Sequence, residues 1–256
     1  MQTNRLVSLM SWQWRMVRKF YAAVLGLFTA QQIAVLLFLA ARKSMIGMRY
    51  STLFVHGLQC ELFLLTAVVL ACGVGICPWR TRDGARVGYT LLTLPFPRGL
   101  LLAANILLCM LLLIGLAAWQ VVLFLAMSRP VYLVSMQVAE LFVSGVAVPW
   151  NPYPELACTP LIAALLPTRA GSIAALIEGM LALSVGMACL FLHRGGWRIL
   201  CGILTAVGFA AAILQAWAAG LSGVTEFVWP AALTAVISLL INLWWANRAL
   251  KRATCL

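Results

Sequence analysis

Charge is scarce in this sequence, and negative charge is scarcer still. Only 9% of the 256 residues are charged, with 6 acidic residues against 18 basic ones, whereas 64% are hydrophobic. Soluble globular domains do not reach this composition, so that class is excluded. We therefore predict an all-α polytopic membrane protein, with almost no chain left over for a domain outside the bilayer.

The excess of basic residues has a membrane explanation. In a soluble protein, a net charge of +12 would favour a nucleic-acid partner. Here the basic residues lie at the ends of apolar runs, where they set the orientation of the chain and meet anionic headgroups. The expected partner is the lipid bilayer, and no nucleic acid is expected.

Metal ligands and disulfide pairs are few or poorly spaced. The two histidines, His56 and His193, fall on opposite sides of the predicted membrane topology, so they cannot share a metal ion. Eight cysteines are present, but none forms a C-x-x-C pair, and most lie inside apolar runs. We interpret them as small packing residues and expect no metal or cofactor in this chain.

Catalytic motifs are also missing. There is no G-x-x-x-x-G-K-S/T sequence, so we expect no nucleotide site of the P-loop type. Residues 220–223 match the G-x-S-G pattern of intramembrane serine proteases, but no histidine follows Ser222 to accept its proton. We interpret this segment as a loop and do not expect an enzyme.

The apolar runs predict six membrane spans with both termini in the cytosol. Residues 1–19 are basic with apolar residues at helical spacing, which predicts an interfacial helix on the cytoplasmic leaflet. The proline-rich residues 130–170 predict a re-entrant or outer-face hairpin, because a full crossing there would divide the basic residues evenly between the two sides. The six predicted spans are residues 20–41, 51–76, 100–127, 172–192, 199–219 and 229–246.

Several polar residues lie inside these predicted spans. Glu61 is roughly ten residues into the second span, about 15 Å deep at 1.5 Å per residue, which is unfavourable unless the carboxylate is paired or wetted. Amides occur at comparable depths, and together these residues form either part of a translocation path or interhelical hydrogen bonds. The candidate path residues are Gln31, Gln32, Gln59, Glu61 and Gln215.

A charged segment, residues 78–99, interrupts the apolar sequence and is predicted to be cytosolic. Its spacing favours a short helix over residues 83–93, with Val87, Leu91 and Leu94 on one face. Two prolines, Pro95 and Pro97, would end it. Such a helix would lie on the inner membrane face, where a soluble partner can press on it.

The sequence YTLLTLPFPRGLLLAANIL, residues 89–107, resembles a signature of the type-2 ATP-binding-cassette exporter permeases. In that family a cytosolic coupling helix runs into a Leu-Pro-x-x-Arg segment and then a membrane span, and here Leu94, Pro95 and Arg98 match. The resemblance implies a permease subunit in the plasma membrane, a second identical or related permease subunit, and separate cassette ATPases that hold ATP and Mg. It implies that substrates are hydrophobic drugs, antimicrobial peptides or lipids.

On this resemblance, the segment 78–99 is the expected docking site for the ATPase. Apolar anchors would carry the binding energy and charges at the rim would set the register. The expected docking residues are Arg82, Asp83, Arg86, Val87, Leu91 and Leu94.

An alternative is an ion-coupled secondary transporter or channel that uses Glu61 as its proton or cation site. Against it, only one carboxylate is well placed at depth, and the sequence has no inverted repeat with broken helices at matching positions.

Overall fold

The computed structural model describes residues 2–42, 48–76, 81–82, 85–86, 98–142, 151–166, 170–192 and 244. The regular secondary structure of these residues is helical except for one pairing of two-residue strands. Three described helices are long and apolar enough to cross a bilayer. These helices support a membrane protein, while the fifth and sixth predicted spans, and with them the six-span count, lie outside the described residues.

The first helix, α1 (Gln2–Ala40), joins the predicted interfacial segment and the first predicted span without a break. The stretch of α1 that could cross a bilayer, Leu6–Ala40, has 35 residues. At 1.5 Å per residue that is about 50 Å, which exceeds the roughly 30 Å hydrocarbon core of a bilayer. The change from charged to apolar residues at Phe20 contains no proline or glycine, so nothing there ends the helix.

The predicted second span is divided into α2 (Tyr50–His56) and α3 (Gln59–Ile76). Gly57 closes α2 by donating its N–H to the Leu53 carbonyl at 2.9 Å. Leu58 follows with φ of 53°, a left-handed conformation that is strained for a side chain of this kind. The break places Glu61 in the first turn of α3.

The charged segment contains a β-hairpin where we predicted the start of a helix. β1 (Thr81–Arg82) pairs antiparallel with β2 (Ala85–Arg86), with Arg82 opposite Ala85. The predicted helix therefore does not begin at Asp83. Asp-Gly between two strands is a strong sequence signal for a two-residue hairpin turn, and the sequence has Asp83 and Gly84 there. The remainder of the predicted coupling helix, residues 87–97, lies outside the described residues.

The helix α4 (Arg98–Phe142) covers the third predicted span and continues through Pro130. The helix thus continues for 12 residues beyond the predicted start of the hairpin at Pro130. Proline is tolerated in membrane helices where nearby side chains satisfy freed carbonyl groups. Two residues before the proline, the Ser128 hydroxyl donates to the Leu125 carbonyl at 2.7 Å, whereas the carbonyl that Pro130 leaves free is that of Ala126.

Within the rest of the predicted hairpin, two short helices are described, α5 (Pro152–Cys158) and α6 (Pro160–Leu165). The Asn151 side chain caps α5 by accepting from the Tyr153 N–H at 3.1 Å, and a proline occupies the first turn of each helix. The proline-rich composition thus produces two short helices in place of one long span.

The chain divides into two compact units. The first comprises Met1–Ala22, Val68–Ile114 and Thr168–Leu256, and the second comprises Ala23–Ala67 and Gly115–Pro167. In the second unit, α1, α2, α4 and α6 share a buried apolar core. Its buried members are Leu36, Leu39, Ala40, Leu53, Phe54, Phe124, Met127, Val131 and Ile162.

In the first unit, α4 packs against α7 (Ala170–Leu192), which matches the fourth predicted span. Ile106, Val185 and Ala188 form the buried centre of that contact. The α3 helix approaches α1 closely at Gly73, where an added Cβ would come within 2.8 Å of three ring carbons of Phe20. Small residues allow such close packing of helices in a membrane.

Candidate functional site

The second unit contains a buried hydrogen bond between two glutamines on different helices. Nε2 of Gln32 on α1 donates to Oε1 of Gln120 on α4 at 2.7 Å, although the two residues are 88 positions apart in sequence. The exposed fractions of their side chains are 1% and 0%. An amide in an apolar core is costly unless paired, so each side chain compensates the other.

A second hydrogen bond joins the same two helices next to the first. Nε1 of Trp119 donates to the Thr29 hydroxyl at 2.9 Å, and this hydroxyl donates to the Leu25 carbonyl at 2.7 Å. Thr29 and Gln32 are three residues apart, so they lie on neighbouring turns of one α1 face. The pair of bonds fixes the rotation and the axial position of α1 relative to α4.

Gln59 is a buried amide of a different kind. Its side chain has 0% exposure, and neither its Nε2 nor its Oε1 has a hydrogen-bond partner among the described residues. A Cβ added at Gly57 would meet Nε2 of Gln59 at 3.1 Å and a Leu39 methyl at 3.3 Å, so the amide lies against these two residues. Leu39 is two turns from Gln32 on α1, about 10 Å along the axis. The two predicted amides thus border the same core at different levels.

An aromatic cluster holds α2 against α4. The rings of Tyr50, Phe54 and Phe124 contact one another with centroids 4.7–6.4 Å apart. The Tyr50 hydroxyl donates to the Phe124 carbonyl at 3.1 Å.

The N-terminus of α2 is capped from a distant segment. Oε2 of Glu155 on α5 accepts from the Ser51 N–H at 2.8 Å. Arg49, the residue before α2, makes no side-chain cap of its own. A carboxylate at a helix N-terminus satisfies a free N–H and is favoured by the helix dipole. Glu155 therefore connects the short-helix segment to α2.

The remaining predicted path residues do not join this group. Glu61 is exposed in the first turn of α3, where the helix dipole favours a carboxylate, and Gln31 is half-buried on α1. Gln215 lies outside the described residues. Of the predicted docking residues, the backbones of Arg82 and Arg86 lie in β1 and β2. The other four, Asp83, Val87, Leu91 and Leu94, are outside the described residues.

Sequence reasoning did not place Gln120, Tyr50 or Glu155 at the site. For Gln120 a signal existed, because it and Asn105 are the two amides in the apolar run 100–127, and an amide in a span requires a partner. For Glu155 the carboxylate between two prolines gave no indication of its target. Among the described residues, no group of three His, Cys, Asp or Glu side chains is arranged to hold a metal ion.

Comparison with known proteins gives no match: no protein-family model, no curated protein and no solved structure matches this chain.

Proposed function

We propose that this chain is the permease subunit of an ATP-driven exporter in the plasma membrane. The observation that carries the proposal is the beginning of α4. The helix starts at Arg98, three residues after Pro95 of the Leu94-Pro95 pair, and its apolar part starts at Leu100. A Leu-Pro-x-x-Arg segment that leads into a long apolar helix is the arrangement that the resemblance to type-2 exporter permeases requires.

In this proposal, each half of the transporter is one copy of this chain or a related permease. Energy comes from cassette ATPases that bind ATP and Mg and dock on the cytosolic segment 78–99. The β1–β2 hairpin occupies the first part of that segment, so the docking face moves to the residues after Arg86, where Val87, Leu91 and Leu94 supply apolar anchors.

The buried amides divide between two roles. The Gln32–Gln120 hydrogen bond fits a structural role between two helices, since a donor is paired with an acceptor and both are buried. Gln59 has no such bond among the described residues, and a buried polar group without a partner calls for a functional explanation. Gln59 is therefore our first choice for a residue that meets substrate or water during transport.

The docking proposal is tested with Leu91→Glu. The tagged chain is purified in mild detergent from its native membrane, and MgATP hydrolysis by the purified complex is measured per mole of chain. We expect hydrolysis and a co-purifying ATPase in the unaltered chain and loss of both in Leu91→Glu, because a charge replaces an apolar anchor. A matched control, Leu166→Glu, alters an exposed leucine in the short-helix segment and should retain both. An unaltered chain that transports with no ATPase bound would overturn the proposal.

The orientation is tested by cysteine labelling. Single cysteines at Gly84 and His193 in a cysteine-free background should react only with a reagent applied from the cytosolic side. Labelling of position 193 from outside would instead favour a full crossing by residues 131–148, which gives seven spans.

The ion-coupled alternative keeps Glu61, in the first turn of α3, as its proton or cation site. It predicts that ion-driven flux in vesicles without an ATPase disappears in Glu61→Gln. The exporter proposal predicts no such flux in either protein.

A further inference from the structure

The N-terminal half of α1 has one basic face and one buried face. Arg15, Arg18 and Lys19 are exposed, and their spacing of three and four residues places them on one side of the helix. Leu9 and Val17 are buried on the opposite side. The basic face has no acidic residue on the same helix to neutralise it, because no acidic residue precedes Glu61 in the sequence.

Two tryptophans flank the basic face. Trp12 and Trp14 are 36% and 39% exposed, and they are two residues apart, so they project to different sides of the helix. The Trp14 ring contacts the Tyr21 ring edge-on, with centroids 5.9 Å apart. Tryptophan and tyrosine concentrate where the headgroups of a bilayer meet the acyl chains. The contact between Trp14 and Tyr21 therefore indicates where the headgroup layer meets the hydrocarbon core along α1.

Helix continuity determines how far the charges lie from that boundary. Because α1 runs unbroken from Gln2 to Ala40, Lys19 and Arg15 lie within about 8 Å along the axis of the apolar sequence that begins at Phe20. The polar headgroup layer of a bilayer has a similar thickness. In a bilayer whose hydrocarbon core begins at the level of Phe20, the three cations would lie at the depth of the lipid phosphate groups.

We propose that Arg15, Arg18 and Lys19 form a binding site for the headgroups of anionic phospholipids. The guanidinium groups donate to phosphate oxygens, the ammonium group adds a third positive charge, and the flanking indoles lie against the glycerol region. A zwitterionic lipid has the same phosphate group, but its own cationic headgroup neutralises the phosphate charge. The site therefore selects lipids of net negative charge, and it is independent of whether the chain is a permease.

The test uses the full chain in detergent, titrated with dioleoylphosphatidylglycerol or dioleoylphosphatidylcholine and observed by native mass spectrometry. We expect tighter binding of the anionic lipid. Each basic residue near a membrane surface changes this preference by about fivefold, so the triple variant Arg15→Gln, Arg18→Gln, Lys19→Gln should lose at least about tenfold of it.

A matched control removes the same total charge elsewhere. Arg42→Gln, Arg49→Gln and Arg129→Gln alter three exposed arginines outside this face and should preserve most of the preference. A charge-conserving variant, Arg15→Lys with Arg18→Lys, should also preserve it, and this variant separates lost charge from lost folding. Equal loss in the two triple variants, or no loss in the first, would overturn the proposal. So would displacement of the lipid by millimolar inorganic phosphate, because the site would then bind free anions.

Discussion

The bond between Gln32 and Gln120 should be measurable as an energetic coupling between α1 and α4. Its donor and acceptor are 2.7 Å apart and both side chains are enclosed. Replacing Gln32 with leucine removes the donor and leaves Gln120 without a partner on either amide atom among the described residues, because Nε2 of Gln120 already has none. The expected cost of Gln32→Leu is about 1–3 kcal/mol, the usual penalty for leaving a buried polar group unpaired.

The double variant should recover most of that loss. With Gln32→Leu and Gln120→Leu together, no unpaired amide remains, and replacement of both partners by apolar groups is nearly neutral. With each single variant costing at least about 1 kcal/mol and the double variant nearly neutral, the coupling energy should be at least about 2 kcal/mol. Gln59→Leu supplies the contrast, since it removes an amide that has no bond to lose and should leave the stability unchanged or higher.

The assay is unfolding of the detergent-solubilised chain by sodium dodecyl sulfate, followed by circular dichroism, with refolding checked at each point because irreversible unfolding yields no equilibrium free energy. Gln137→Leu, at an exposed position on α4, is the surface control and should change stability by less than about 0.5 kcal/mol. Strictly additive single variants, or a Gln32→Leu variant as stable as the surface control, would refute the assigned bond.

Three further predictions concern local packing. Leu58→Gly should raise the midpoint of thermal unfolding by a few degrees, since it removes a left-handed leucine that costs about 1–2 kcal/mol, and a lower midpoint would contradict the strain at this residue. Gly73→Ala should destabilise the chain by about 1–3 kcal/mol through collision with Phe20, whereas Gly26→Ala, where nothing lies within 4 Å of the new Cβ, should be neutral or slightly stabilising. Glu155→Ala should speed amide hydrogen exchange in α2, and Glu155→Gln, which keeps an acceptor, should do so less; unchanged exchange in both would exclude the cap.

The long helices were predictable because their apolar runs exceed the length of a bilayer span. The fourth predicted span begins at residue 172 and α7 begins at Ala170, a difference within the usual uncertainty of helix ends. The continuity of α1 and the passage of α4 through Pro130 were missed for a common reason. A change in polarity, or one proline, was treated as an end of the helix, whereas helical hydrogen bonding depends on the backbone and tolerates both.

The β1–β2 hairpin and the end of α2 each had a sequence signal, but other signals in the same segment favoured a helix. Asp83-Gly84 is a hairpin signal, but the helical spacing of Val87, Leu91 and Leu94 immediately after it favoured a helix that included the pair. Gly57 marks the end of α2, but a single glycine in an apolar run is also common inside membrane helices. Local sequence alone does not determine which structure forms at either place, because contacts from other segments also contribute, such as that of Glu155 with the start of α2.

The glutamines show where sequence reasoning about a site must stop. Gln32 and Gln59 have the same side chain, similar apolar neighbours and similar predicted depth, so the sequence left path and interhelical contact as equal alternatives for both. Their difference arises from α4, which supplies Gln120 to one of them and no partner to the other. An unpaired buried amide lowers stability, and contact with substrate or water in another state of the proposed transporter would offset that loss. Gln59→Leu should therefore separate the two roles: a chain that is more stable but transports less places Gln59 in the path, and a chain that is more stable and transports normally removes it.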